Sequence, residues 1–281
     1  MAALGREITR IRPLLKQAGA NTTKWVEGYS QRGGWFEVDR AQRHLEAWLA
    51  NLNEDPDEPL EQALGPLRRA YETLLNDMAT GFTQALSDGG WHVEGVLHQT
   101  AIFPTRVQNS GGRVAYFLVD AMRYEMAADL VAGLNGMEEL SLVPAVAALP
   151  SITPVGMAAL LPGASSSFSV VSYRGKLAAR IGDTHLCQVN DRLRHFKAAR
   201  PEVVDFTLDD LLQKRPSDVQ KKLGHAQWVT VRSQEIDALG EGGHTLVARQ
   251  VMNSVIDNLI RAVRKLSKLG VSAFVITADH G

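Results

Sequence analysis

Apolar positions recur every three to four residues through the first hundred residues. LEAWLANL (45–52) and LEQALGPLRRAYETLLNDMATGFTQAL (60–86) place Leu, Ala, Tyr and Phe at the spacing of one helical face. The acidic, proline-containing stretch NEDPDEP (53–59) separates them. This region reads as helical, a packing or partner-binding unit without chemistry of its own. The pattern changes near residue 111. Gly111-Gly112 precedes VAYFLVD, a short apolar run rich in β-formers that ends in Asp120. AMRYEMAADLVAGL (121–134) returns to helical periodicity, LVPAVAALP (142–150) predicts a second strand and its exit, and TPVGMAALLPG (153–163) predicts a short helix. QWVTVRS (227–233) predicts another strand. The segment 244–270 predicts a long amphipathic helix with Val247, Val251, Val255, Leu259, Val263 and Leu266 along one stripe. VSAFVIT (271–277) is a near-continuous apolar run, as expected of a parallel strand buried on both faces.

Strands alternating with helices predict an α/β sheet with helices on both sides. The expected division is a helical region over 1–110 and an α/β domain over 111–281. Between 164 and 228 the pattern is mixed. Lys and Arg number 11 against 7 Asp and Glu over 174–222, a small excess that reads as a solvated face.

Composition narrows the class further. Hydrophobic residues make up 45% and charged residues 22%, and the formal net charge is -1, so bulk charge advertises neither a nucleic-acid nor a membrane partner. A single cysteine, Cys187, excludes an internal disulfide and suits a reducing cytosol. The N-terminus has no secretory apolar stretch and no run approaches a membrane span, so a cytoplasmic protein is expected.

A few residues could carry chemistry. Asp120 sits where a strand ends and a helix begins, the edge at which open α/β sheets bind ligands; a plain helix cap is the other use of Asp there. Thr153 precedes Pro154 and fits the cap of the next helix, where a hydroxyl also faces N–H groups that attract phosphate; Ser151 is a second hydroxyl nearby. Asp237 and His244 flank a glycine-rich stretch that could turn both toward one point. Asp279 and His280 end a strand in ITADHG, and both can meet one metal only if the chain leaves the strand there.

The order of these elements is more telling than any one of them. Strand-Asp, Thr at a helix start, Asp with a nearby His, then strand-Asp-His-Gly is the ligand order of the alkaline phosphatase superfamily. The wording VDAMRYEMA, LPSITPVGMAALLPG, EID…GGH and ITADHG resembles the PglZ domain of bacterial phage-defence proteins over about residues 113–281. The resemblance implies an alkaline-phosphatase-like three-layer sandwich after the helical region. It implies that Asp120, Asp279 and His280 hold one metal with Thr153 bridging as nucleophile, and that Asp237 and His244 hold a second. The two metals would be divalent, zinc first and manganese second. A further histidine that the superfamily draws from after the Asp-His pair is not in this sequence, so the domain is expected to be incomplete at its C-terminus. Arg123 belongs to the family wording and could touch phosphate or serve only on the helix surface. The implied activity is phosphoester hydrolysis, with a nucleic-acid phosphodiester as first substrate and a phosphomonoester as second. The implied partners are the methyltransferase and ATPase of a phage-defence system. The alternative is a scaffolding component of such a complex with a vestigial metal site.

Overall fold

The computed structural model describes residues 1–52, 57–237 and 245–281. Four helices open the chain: α1 (Ala2–Ala18), α2 (Thr22–Ser30), α3 (Phe36–Ala50) and α4 (Glu58–Asp88). Their apolar stripes meet in one core, where Leu4, Ile8 and Ile11 of α1 face Leu64, Tyr71 and Leu74 of α4 around Trp25 and Trp35. Each such buried aliphatic side chain contributes roughly 1.5–3 kcal/mol of transfer free energy. The break before α4 is built by Asp57, whose side chain accepts the Leu60 N–H, with Pro59 in the first turn where its missing N–H costs nothing.

A four-stranded parallel sheet forms the second part. Its strands are β2 (Val114–Val119), β7 (Val203–Thr207), β8 (Trp228–Ser233) and β9 (Ala273–Ala278), in the spatial order β7-β8-β2-β9. Strand β2 is central, and all six of its residues are buried. Ala115, Phe117 and Val119 face a core completed by α5 (Tyr124–Gly133), α9 (Leu208–Gln213), α10 (Pro216–Leu223) and α11 (Thr245–Lys268). Val114, Tyr116 and Leu118 face the opposite core, closed by α6 (Thr153–Ala159), α7 (Ala164–Ser167) and α8 (Val189–Ala199). The period-2 alternation of one strand thus feeds both helical layers of an α/β sandwich. Of the stripe read on α11, Val255, Leu259, Val263 and Leu266 are buried and Val251 is half-buried. No helix among the described residues is long and apolar enough to cross a membrane.

Two strand readings need correction. In LVPAVAALP only β3 (Ala145–Val146) pairs, and its partner is β1 (Leu97–His98), outside the four-stranded sheet. Pro144 and Pro150 bracket the segment and cannot donate to a ladder, so the run cannot extend. Strand β9 is half-buried along its length rather than buried on both faces, because it pairs with β2 alone at the sheet edge. The mixed stretch after residue 164 holds an antiparallel sheet, β4 (Phe168–Tyr173), β5 (Lys176–Ile181) and β6 (Thr184–His185), that packs on α6.

Candidate metal site

Strands β8, β2 and β9 are neighbours and run in the same direction, so their carboxyl ends share one edge. Asp120 directly follows β2, Asp279 directly follows β9, and Asp237 lies four residues beyond β8. The edge is stitched by backbone: the Asp120 N–H donates to the Ser233 carbonyl at 2.9 Å. Because β9 ends at Ala278, Asp279 and His280 are free of strand alternation and both turn to the same point. His280 Nε2 lies 3.6 Å from Asp120 Oδ1, 3.4 Å from Asp279 Oδ2 and 3.2 Å from Thr153 Oγ1. The Thr153 hydroxyl also reaches Asp120 Oδ1 at 3.4 Å. Asp120, Asp237 and His280 place one ligand atom each within 4.8 Å of one another.

The turn after β2 is held in an unusual shape. Ala121 has φ 56°, the left-handed region, which costs an L-residue about 1–2 kcal/mol. That conformation aims its N–H at Asp279 Oδ1, 3.1 Å away. Helix α6 comes in close because residue 156 is glycine: a Cβ there would sit 2.3 Å from the Asp279 carbonyl oxygen. Buried Gln99 ties the edge together from a third direction. Its amide nitrogen donates to the carbonyls of Ala278 and Asp279, and its oxygen accepts the Ala148 N–H on the chain leading to Thr153.

The electrostatics are those of crowded negative charge. Burial, then the neighbouring carboxylates of Asp279 and Asp237, push the Asp120 carboxyl up to about 7. Burial pushes Asp279 up as well, against the opposing charge of His280 and backbone N–H groups. Asp279 Oδ2 is buried and accepts no hydrogen bond among the described residues. An orphaned carboxylate oxygen facing other carboxylates and an imidazole nitrogen is the donor set that a divalent cation completes.

Not every expected residue takes the place read for it. Thr153 is the first residue of α6 and its side chain makes no cap bond; Ile152 is the cap residue, and its carbonyl accepts the N–H groups of Val155 and Gly156. The hydroxyl is thereby released toward Asp120 and His280. Asp120 caps no helix, since Arg123 occupies that position for α5. Ser151 is exposed, in a cleft beside His280, with no hydrogen bond to the cluster. Arg123 turns to Glu125, 2.7 Å away. His244 lies outside the described residues.

One group escaped the sequence reading. Arg192, on α8 one turn before buried Phe196, lines a cleft with Leu118, Thr230 and Ser233. It is half-buried, and its side chain makes no hydrogen bond or ion pair among the described residues. Burial weakens its hold on its proton, while Asp120 and Asp279 strengthen it. The carboxylate of its neighbour Asp191 accepts the Gln188 N–H at 2.9 Å, at the start of the helix. In the sequence such a helix reads only as a charged surface face.

The family model for the BREX system PglZ alkaline phosphatase-like domain matches residues 97–281. The chain belongs to the PglZ family. A curated PglZ relative, the alkaline phosphatase-like protein PglZ of Bacillus cereus (strain H3081.97), is 27% identical over 225 residues, covering 74% of this chain and 25% of that protein. The chain therefore spans about a quarter of the length of the PglZ relative it matches. The PglZ match takes in all strands of the sandwich and also β1 and Gln99, upstream of the boundary expected at residue 111.

Proposed function

We propose that this chain carries a metal-dependent phosphoester-cleaving site of a phage-defence protein. The observation that supports it is the position of the Thr153 hydroxyl, within 3.4 Å of both Asp120 and His280 at the carboxyl edge of a parallel sheet. Asp120, Asp279 and His280 would hold a divalent metal beside Thr153, with Asp237 reaching the same cluster and, with His244, serving a second. Oxygen and imidazole donors suit zinc first and manganese second. The chemistry a divalent metal supplies when bound there is Lewis acidity. Thr153 gives up its proton to water and its Oγ1 forms the bond to phosphorus. The ester P–O bond breaks on the opposite side, its electron pair leaving with the alcohol oxygen. Water then releases phosphate or phosphomonoester from Thr153. Arg192, whose charge is felt by Asp120 and Asp279, would neutralise a non-bridging phosphoryl oxygen, a task for which its planar, permanently charged fork is suited.

A nucleic-acid phosphodiester is the first substrate class and a phosphomonoester the second. A methyltransferase and an ATPase of the same defence system are the proposed partners. The test is hydrolysis of an aryl phosphodiester by zinc- or manganese-loaded protein, with and without chelator. Chelation should abolish turnover, and Thr153→Ala should lower kcat by roughly 10³-fold or more while Ser151→Ala leaves it unchanged. Absence of both metal and turnover in the wild type would sink the hydrolase reading in favour of a scaffolding role. Loss of activity in Ser151→Ala alone would move the nucleophile.

A further inference from the structure

A wholly buried side chain joins the N-terminal helices to the two helices beside the candidate site. Arg43, in the middle of α3, is wholly buried between α5 and α11. Its Nε donates to Glu125 Oε2 at 2.8 Å, one terminal nitrogen donates to Asp129 and the other to Asn253. Glu125 and Asp129 lie in the first two turns of α5, and Asn253 lies in the third turn of α11. These two helices are the ones that leave the site: α5 begins four residues after Asp120, and α11 begins eight residues after Asp237. One guanidinium therefore ties the start of α5 to the third turn of α11.

The contacts around it point the same way. Arg40 pairs with Asp129 at 2.6 Å, and His44 lies 3.2 Å from the same carboxylate. Tyr124 donates to the Ser30 carbonyl at 2.9 Å and its ring meets Tyr29 and Phe36 edge-on. Between this anchorage and Asp120 stand only Ala121, Met122 and Arg123, and Ala121 is in the left-handed conformation. A strained turn persists only where its surroundings over-determine it. On one side the Asp279 carboxylate holds the Ala121 N–H. On the other, the holding group is α5, and α5 is held by Arg43. A lysine could keep the charge but not the fork, since three acceptors on two helices need the planar spread of a guanidinium.

We propose that Arg43 is a positioning residue for the site, setting the places of Asp120 and Asp237 through α5 and α11, so that the N-terminal helices are part of the site's framework. This rests on the reading that Asp120 and Asp237 are working groups, but its first test does not. In the full 281-residue chain, hydrogen exchange would be compared for wild type, Arg43→Lys and Leu74→Ala. Leu74 lies in the core of the helical region away from the sheet, so its variant reports general loss of stability. Arg43→Lys should raise exchange over residues 119–124 and 233–237 at least tenfold, and weaken zinc binding about tenfold by titration. Leu74→Ala, matched for loss of Tm, should do neither. Equal exchange at these segments in the two variants, or unchanged exchange in Arg43→Lys, overturns the proposal. If the wild type binds no zinc, the metal reading falls while the exchange comparison still decides the role of Arg43. If Arg43→Lys does not fold, Asn253→Ala removes one acceptor and leaves both ion pairs. It should loosen 233–237 more than Leu74→Ala does, and failure to do so counts against the proposal.

Discussion

Asp120 and Asp279 stand where an ionised carboxylate is least welcome, in buried positions beside one another. The consequence for the metal-free protein has a definite sign. The folded state keeps the Asp120 proton up to about pH 7, against 3.8 for an ordinary aspartate. Folding therefore binds protons in this window, so the stability contributed by the protonated group is complete below pH 4 and is lost as pH rises through 7. Asp120→Asn removes that loss. In chelator, the variant should gain stability over wild type by on the order of 1–3 kcal/mol at pH 8 and little at pH 4. Denaturant unfolding at the two pH values measures it, and parallel profiles would show that the carboxyl is not held protonated. Zinc should then raise the Tm of the wild type at pH 8 more than that of Asp120→Asn, because only the former has the full negative cluster to bind it.

At the scale of elements, the site depends on segments being kept in register. Gln99 bridges the end of β9 and the chain before α6 with three hydrogen bonds. Gln99→Leu fills the same space but leaves buried backbone groups unpaired, so it should cost about 1–3 kcal/mol and reduce turnover beyond what the stability loss explains. Leu259→Ala, in the sheet-facing stripe of α11, should cost about 2–5 kcal/mol with metal affinity largely kept. If Gln99→Leu lowers Tm and leaves turnover intact, Gln99 is merely structural. The difference between these residues also explains what the sequence could disclose. The sandwich was readable because β2 and α11 carry clean periodicities, and Asp120 and Asp279 stand out as the first charges after apolar runs. Arg43, Gln99 and Arg192 did not stand out. Each is a polar residue in a polar-looking stretch, and its importance arises from packing against segments 49 to 210 residues away. The β4–β6 sheet was missed because Ser, Gly and Arg dilute its alternation, and β3 was over-read because an apolar run bounded by prolines imitates a strand.

For the whole molecule, the helical region and the sandwich share buried charge. Glu125 is wholly buried, and although burial raises its carboxyl, Arg123 and Arg43 counter it. Burial opposes ionisation of Asp129 too, yet hydrogen bonds from His44 and Arg43 and the charges of Arg43 and Arg40 hold it down at about 2. Removing residues 2–88 would strip Asp129 of Arg40 and Arg43, leave Glu125 with Arg123 alone, and bare the face around Tyr124. Such a deletion should therefore be insoluble or aggregate, as size-exclusion chromatography would show; a well-folded monomer would mean that the two parts are separable modules. Gly156 carries a consequence for descent. Any side chain at that position would collide with the backbone of Asp279, so a lineage can admit one there only after the two segments have moved apart. Gly156→Ala should thus abolish zinc binding in this chain, and calorimetry would detect it. Among PglZ proteins, a side chain at this position is therefore expected only where the start of α6 and the end of β9 stand farther apart than they do here.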